Sequence, residues 1–385
     1  MLALRLARGT HPLVLLRRLL VAAASAGVGF LLLCTLGHAV AHPGGSVPRL
    51  LWCAVPLAAT VHFAVAVART DPSTRPRPGL SAVGLGPGRL TAIAAASTAV
   101  ACTLGSTIAL LVYLHLRGDI TGLPFDGAAA GLLAADQPLP LAAALTLLSV
   151  LPLTASTAAG LALRPRKEQP RPRPTGAERP PASVPAGLPW GITLITAGLA
   201  METFASRGTP GSAIPMPGHP DSSPAGVLAG WVLTALGLAV AGPALTHLCG
   251  RLLQTARPGA ARLLAGRVLM EEARRIGRPL GVVCAVASAT IAAATLYGDE
   301  AGPHPFGPLT GLGAALVMGC SVATLLTAAL ESKHARGETT AALLRLGAPA
   351  KLLRASAALR AAALLALFGP VTWGIAELAA LPLTG

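Results

Sequence analysis

The sequence predicts an all-α polytopic membrane protein with about nine transmembrane helices. Its 385 residues are 53% hydrophobic and only 12% charged, whereas a soluble domain is about a quarter charged. Apolar runs of about 20 residues, the length that crosses the hydrocarbon core of a bilayer, recur along the chain. They are too long and too continuous to be strands of a transmembrane barrel, in which lipid-facing and interior residues alternate.

Residues 1–163 hold the first four predicted spans. The spans lie at 19–41, 50–68, 92–116 and 138–163. The first run is longer than the core of a signal peptide and further spans follow it, so we predict a retained helix, with a cleaved signal peptide as the alternative. A basic segment at 69–91 separates the second span from the third.

Residues 164–187 are rich in Pro and Arg and contain no apolar run. This composition indicates a semi-extended cytoplasmic linker without a core of its own. Two more spans follow, at 188–206 and 225–250. We interpret residues 188–250 as a helix pair inserted between two halves of the protein.

The second half, residues 251–385, begins with a basic amphipathic segment. We predict a helix at 262–278 that lies on the membrane surface, followed by spans at 279–297, 307–330 and 353–381. Glu271 precedes Arg274 and Arg275 by three and four residues, a spacing that stabilises a helix. Glu272 falls within the apolar stripe of this predicted helix, and the sequence pattern gives no reason for a carboxylate there.

A charged segment with helical periodicity separates the last two spans, at 331–352. Gly347 is predicted to end its helix, and Pro349 suits the first turn of the next one. A simple turn between two spans needs no such ordered segment. We therefore predict a cytoplasmic coupling helix at 331–352.

The basic residues predict the orientation of the chain. Of the 30 Lys and Arg residues, only Arg49, Arg117 and Arg207 fall on one side of the predicted topology, and all others fall on the opposite side. We call that opposite side the basic side. Because Lys and Arg concentrate in cytoplasmic loops, we predict a cytoplasmic N-terminus and an extracytoplasmic C-terminus. The same placement explains the net charge of +15 without a nucleic-acid partner.

Two basic-side segments resemble each other, which indicates a parallel duplication of the kind found in many transporters. Residues 80–90 read LSAVGLGPGRL, and residues 342–352 read ALLRLGAPAKL. The second segment resembles the start of the third helix in repeats of the FtsX-like permease family, the membrane subunits of MacB-type ABC systems. The match begins just before this segment and comprises Arg336, Glu338, Ala342, Leu343, Leu344, Arg345, Leu346, Gly347, Ala348 and Lys351. The first segment matches less fully, at Leu80, Val83, Leu85, Gly86 and Arg89.

This resemblance implies the permease subunit of an ABC transporter, which couples a separate cytoplasmic ATPase to export or to mechanical signalling. The implied ATPase-coupling residues are Arg336, Glu338, Leu343, Leu344, Arg345, Leu346, Gly347 and Lys351, with Leu85, Gly86 and Arg89 from the first segment. It also implies a homodimer or pseudo-dimer among the lipids of a bacterial cytoplasmic membrane. The sequence departs from the family in two ways. It has only short turns where a large extracytoplasmic domain is usual, and it ends at Gly385 before a fourth span of the second repeat.

Two other functions stay open. The sequence has no nucleotide-binding loop, no catalytic constellation, no metal-ligand spacing and no implied cofactor, so we do not expect an enzyme. Its six cysteines fall in or beside apolar runs, where they suit packing. Ionisable residues at membrane depth are functional candidates, and here they are Glu202, Arg360 and Glu377. An ion-gradient-driven carrier using Glu202 or Glu377 is one alternative, and a non-transporting membrane regulator or scaffold is the other.

Overall fold

The computed structural model describes most of the chain. The described ranges are 12–41, 46–71, 87–120, 127–131, 135–164, 187–207, 213–214, 223–255, 259–297, 308–347 and 349–384, with residues 124 and 133. Five residues that the family resemblance selected lie outside these ranges: Leu80, Val83, Leu85, Gly86 and Ala348. Most of the predicted linker at 164–187 and most of the basic segment at 69–91 also lie outside them.

Nine of the described helices are long and apolar enough to cross a membrane. They are α1 (Pro12–Ala41), α2 (Ser46–Thr70), α3 (Pro87–Arg117), α4 (Leu141–Leu163), α5 (Gly187–Arg207), α6 (Ala225–Gln254), α7 (Ala260–Tyr297), α8 (Pro308–Ala335) and α10 (Ala350–Thr384). A short helix, α9 (Gly337–Arg345), lies between the last two. The described strands are β1 (Ala213–Ile214) and β2 (Ser223–Pro224), which pair antiparallel. The predicted all-α polytopic membrane fold is confirmed.

The helices cluster into two compact units, and the first consists of Met1–Arg171, Pro215–Pro220 and Phe306–Cys320. Within this unit α1 packs against α2, α3 and α4. Small residues bring α1 and α3 close together: a Cβ atom on Gly105 would lie only 2.7 Å from the Cβ of Ser25. At the same crossing, the Ser25 hydroxyl donates a hydrogen bond of 2.8 Å to the Cys102 carbonyl.

The second unit consists of Pro172–Ile214, Asp221–Pro305 and Ser321–Gly385. Its largest contacts join α6 to α7 and α5 to α6, and α10 packs on α7. The α6–α7 crossing is also close, since a Cβ on Gly277 would lie 2.5 Å from the Cα of Pro243. The Ser288 hydroxyl of α7 donates a 3.0 Å hydrogen bond to the Thr372 carbonyl of α10.

The predicted surface helix at 262–278 is wrong as a separate element. A single 38-residue helix, α7, runs from Ala260 to Tyr297 through Pro279. A proline within a membrane helix removes one backbone donor, which neighbouring groups can compensate, so the helix need not end there. At 1.5 Å per residue α7 is about 57 Å long, well beyond the roughly 30 Å of a hydrocarbon core.

The predicted coupling helix at 331–352 is also different in extent. Its first residues extend α8 to Ala335, and only Gly337–Arg345 forms the separate helix α9. The predicted stop at Gly347 is confirmed, because its φ of 89° lies in the left-handed region that glycine adopts most readily. The last helix, α10, then begins at Ala350.

Candidate coupling site

An ion pair joins α7 to the start of α9. The Nε atom of Arg336 lies 2.9 Å from Oε1 of Glu272. Ser332, in the last turn of α8, donates a hydrogen bond from its hydroxyl to the same carboxylate oxygen. Arg336 in turn donates to the Ser332 hydroxyl at 3.0 Å and to the Ser332 carbonyl at 3.2 Å. These three residues form what we call the α7–α9 clamp.

The clamp is shielded from water. The Ser332 residue is only 1% exposed, and the side chains of Arg336 and Glu272 are 27% and 13% exposed. Hydrogen bonds to charged groups are each worth about 1.5–3 kcal/mol when partly buried, more than an exposed ion pair contributes. The clamp therefore fixes the start of α9 against α7, and it gives Glu272 the partner that the sequence pattern did not reveal.

The rest of α9 and the following turn present exposed side chains. Leu344 is 46% exposed and Leu346 is 83% exposed, and Arg345 and Lys351 are exposed beside them. We call these four residues the α9 surface. The connection lies between the span that ends at Ala335 and the span that begins at Ala350. Leu344 and Leu346 are therefore exposed in a connection between two spans.

The structure accounts for most of the other predicted coupling residues. The backbones of Glu338 and Leu343 lie in α9, and Gly347 forms the turn after it. Arg89 lies in the first turn of α3, in the first unit. Arg336 belongs to the clamp, and its guanidinium faces Glu272.

The first unit has a comparable ion pair between the beginning of α1 and the end of α2. Arg18 of α1 lies 2.6 Å from Asp71, the residue after α2. The neighbouring Arg17 donates a 3.1 Å hydrogen bond to the hydroxyl of Thr70. We call this arrangement the α1–α2 clamp. Asp71 is 9% exposed in its side chain and Arg18 is 41% exposed.

The three candidates at membrane depth have different environments. Glu202 of α5 is 1% exposed, whereas Glu377 lies on an exposed face of α10. Arg360 is half-buried, and its Nε atom is buried without a hydrogen-bond partner in the described part of the chain. Arg360 and Glu377 are both on α10, 17 residues or about 25 Å apart. The structure therefore does not bring them together.

Glu202 borders a cavity of about 40 Å³ within the second unit. Thr234 of α6 donates a hydrogen bond of 3.4 Å to its Oε1 atom. Its Oε2 atom is buried and has no partner among the described residues, and the same is true of Trp231 Nε1. Trp231, Thr234 and Ser288 also line the cavity, and the remaining lining side chains are apolar.

No model of a known family matches the chain, and comparisons with curated proteins and with solved structures likewise yield no match. The resemblance to FtsX-like permeases therefore stays a prediction from sequence motifs. Within the described ranges, no group of three His, Cys, Asp or Glu residues is placed to hold a metal ion. All six cysteines are buried as free thiols, in positions that suit helix packing.

Proposed function

We propose that the chain is the permease subunit of an ABC transporter and that the α9 surface docks a separate cytoplasmic ATPase. The observation that supports this most strongly is the 83% exposure of Leu346 in a connection that the α7–α9 clamp holds in place. In this proposal the chain lies in a bacterial cytoplasmic membrane with its basic side inward. Its N-terminus is then cytoplasmic and its C-terminus extracytoplasmic, and two copies or a pseudo-dimer engage the ATPase pair.

The α9 surface suggests the chemistry of its partner. Burying an exposed leucine side chain contributes about 1.5–3 kcal/mol, so Leu344 and Leu346 suit an apolar pocket. Arg345 and Lys351 beside them suit an acidic rim, which would set the orientation and speed of docking. The sequence has no nucleotide-binding loop of its own, so the partner supplies ATP hydrolysis.

The α7–α9 clamp provides a route from the ATPase to the membrane helices. Movement of α9 is passed through Arg336 and Glu272 to α7, which packs along α6 and α10. A rigid helix moves as a unit, so a displacement at its basic-side end reaches the membrane-embedded part. This coupling serves export or mechanical signalling equally well.

A matched pair of substitutions tests the docking. The tagged chain is purified from its native membrane, and a Walker-motif ATPase is identified in the eluate by mass spectrometry. Leu346→Asp is expected to remove it, at a cost of about 1.5–3 kcal/mol, or a weakening of about tenfold to a hundredfold. Leu252→Asp is the control, because Leu252 is also exposed, at 61%, near the basic-side end of α6.

The control is expected to retain the ATPase. Equal recovery of the ATPase with both variants, or no Walker-motif ATPase with the unmodified chain, contradicts the docking. Membrane insertion is checked in the same preparations by size-exclusion chromatography, so that a misfolded variant is recognised.

A further inference from the structure

The cavity beside Glu202 lies at one end of a four-helix cluster. Glu202 is five residues before the end of α5 at Arg207, and Trp231 is six residues after the start of α6 at Ala225. Ala292 and Ala379 also line it, and each lies five residues before the end of its helix, at Tyr297 and Thr384. At 1.5 Å per residue, the cavity is about 8 Å from these ends.

The unpartnered polar atoms of the cavity are not hydrogen-bonded to one another. Trp231 Nε1 only donates hydrogen bonds, and a charged carboxylate buried among apolar side chains is costly unless it is paired. In the described ranges no other ionisable side chain lines the cavity, and Glu377 on the neighbouring α10 is exposed. A bound proton removes the charge of Glu202 and turns Oε2 into a donor as well.

One water molecule would complete this arrangement. A cavity needs about 10–15 Å³ of space for the centre of a water molecule to hold one, and this cavity has about 40 Å³ by the same measure. Such a water can accept from Trp231 Nε1 and from protonated Glu202 Oε2 with its two lone pairs, and it can donate to the hydroxyl oxygen of Thr234 or Ser288, which line the same cavity. Those hydroxyls donate elsewhere, to Glu202 Oε1 and to the Thr372 carbonyl, so their oxygens still accept.

We propose that Glu202 is an exchangeable proton-binding site whose carboxyl group is bridged by one water to Trp231. Proton uptake transfers one H⁺ from a hydronium ion to the carboxylate, forms one O–H bond and leaves a water molecule. Exchange takes place with the aqueous phase beside the ends of α5, α7 and α10, because the cavity lies within about two helical turns of them. The site stands apart from the α9 surface and does not rest on ATPase docking.

Infrared difference spectroscopy tests this proposal on the purified full-length chain in lipid nanodiscs, with no ATPase present. Spectra recorded at acid and alkaline pH are expected to differ by the C=O stretching bands of all carboxyl groups that take up a proton. Glu202→Gln is expected to remove one component, that of Glu202, and transfer into D₂O is expected to shift this component. Glu377→Gln, a substitution on an exposed face of a membrane helix, is the matched control and is expected to keep the Glu202 component.

Trp231→Phe tests the bridging water. Removal of the indole N–H takes one donor from the water, so the Glu202 band is expected to stay and to change frequency. Glu202→Asp, which keeps an acid but shortens it by one methylene, is expected to keep a shifted band and serves as a second test if Glu202→Gln does not fold. The proposal is overturned if Glu202→Gln removes no component of the carboxyl band, or if the component that it removes does not move in D₂O or is unchanged by Trp231→Phe.

Discussion

In each unit a buried serine joins two long helices, α1 to α3 in the first unit and α7 to α10 in the second, and a clamp lies near helix ends. In the first unit the serine is Ser25, bonded to the Cys102 carbonyl, and in the second it is Ser288, bonded to the Thr372 carbonyl. The clamp charges are reversed. In the first unit α1 supplies the cation, Arg18, whereas in the second unit α7 supplies the anion, Glu272.

The units differ in how far these helices extend beyond the serine bond. Arg18 lies seven residues before Ser25, but Glu272 lies 16 residues before Ser288. The partner helices α3 and α10 differ in the same sense: Cys102 is 15 residues into α3, and Thr372 is 22 residues into α10. At 1.5 Å per residue, α7 and α10 extend beyond their serine bond toward the clamp by about 10–14 Å more than α1 and α3 do.

This difference indicates that two similar helix clusters have different tasks. The α1–α2 clamp lies close to the membrane-embedded core of its unit and holds two helix ends together. The α7–α9 clamp lies on an extension and holds a short helix with exposed leucines. We therefore expect the first clamp to contribute to stability alone and the second to contribute to stability and to coupling.

The largest effect is expected from Glu272→Arg, which puts two arginines side by side in a shielded site. We expect a loss of roughly 2 kcal/mol in the stability of the second unit, less than for a fully buried pair because Arg336 is partly exposed. ATPase recovery should also be lost, since the start of α9 is released. Thermal unfolding in detergent and co-purification measure the two effects.

The charge-swapped double variant, Glu272→Arg with Arg336→Glu, is the control for this prediction. It restores opposite charges at the same positions, so it should recover most of the stability and of the ATPase binding. A double variant no better than Glu272→Arg alone would show that the clamp does not act through its ion pair.

A smaller and more selective effect is expected from Asp71→Asn in the first unit. This change weakens the bond to Arg18, which is 41% exposed, so the loss in stability should be about 1 kcal/mol or less. ATPase recovery should stay at the level of the unmodified chain. A loss of ATPase comparable to that of Glu272→Arg would erase the distinction between the two clamps.

The parts of this fold that depend on local sequence were predictable. Runs of apolar residues located the nine spans, and Gly347 marked the end of α9 because the chain needs a positive φ there. Pro279 misled the prediction, since a proline that can begin a helix also lies inside α7. The sequence pattern could not show that α7 continues through Pro279. It also placed Glu272 within an apolar stripe without indicating a partner for it.

Side-chain partners were not predictable, because they depend on how distant helices pack. Glu272 and Ser332 are 60 residues apart, and Glu202 and Thr234 are 32 apart. A charged residue at a position where the local pattern expects an apolar one was the available signal for both acids. It indicated that each needs a partner, and only the packing of helices identified Arg336 and Thr234.

The smallest effect is expected from the serine bonds that the two units share. Ser25→Ala and Ser288→Ala each remove one hydrogen bond between helices, and such bonds contribute about 0.6 kcal/mol on average within a membrane. Because both serines are buried and bond to a backbone carbonyl, the two losses should agree within about 0.5 kcal/mol. Unfolding in mixed micelles measures them. A loss much larger for Ser288 than for Ser25 would place the functional difference between the units inside the membrane, and not in the extension that carries α9.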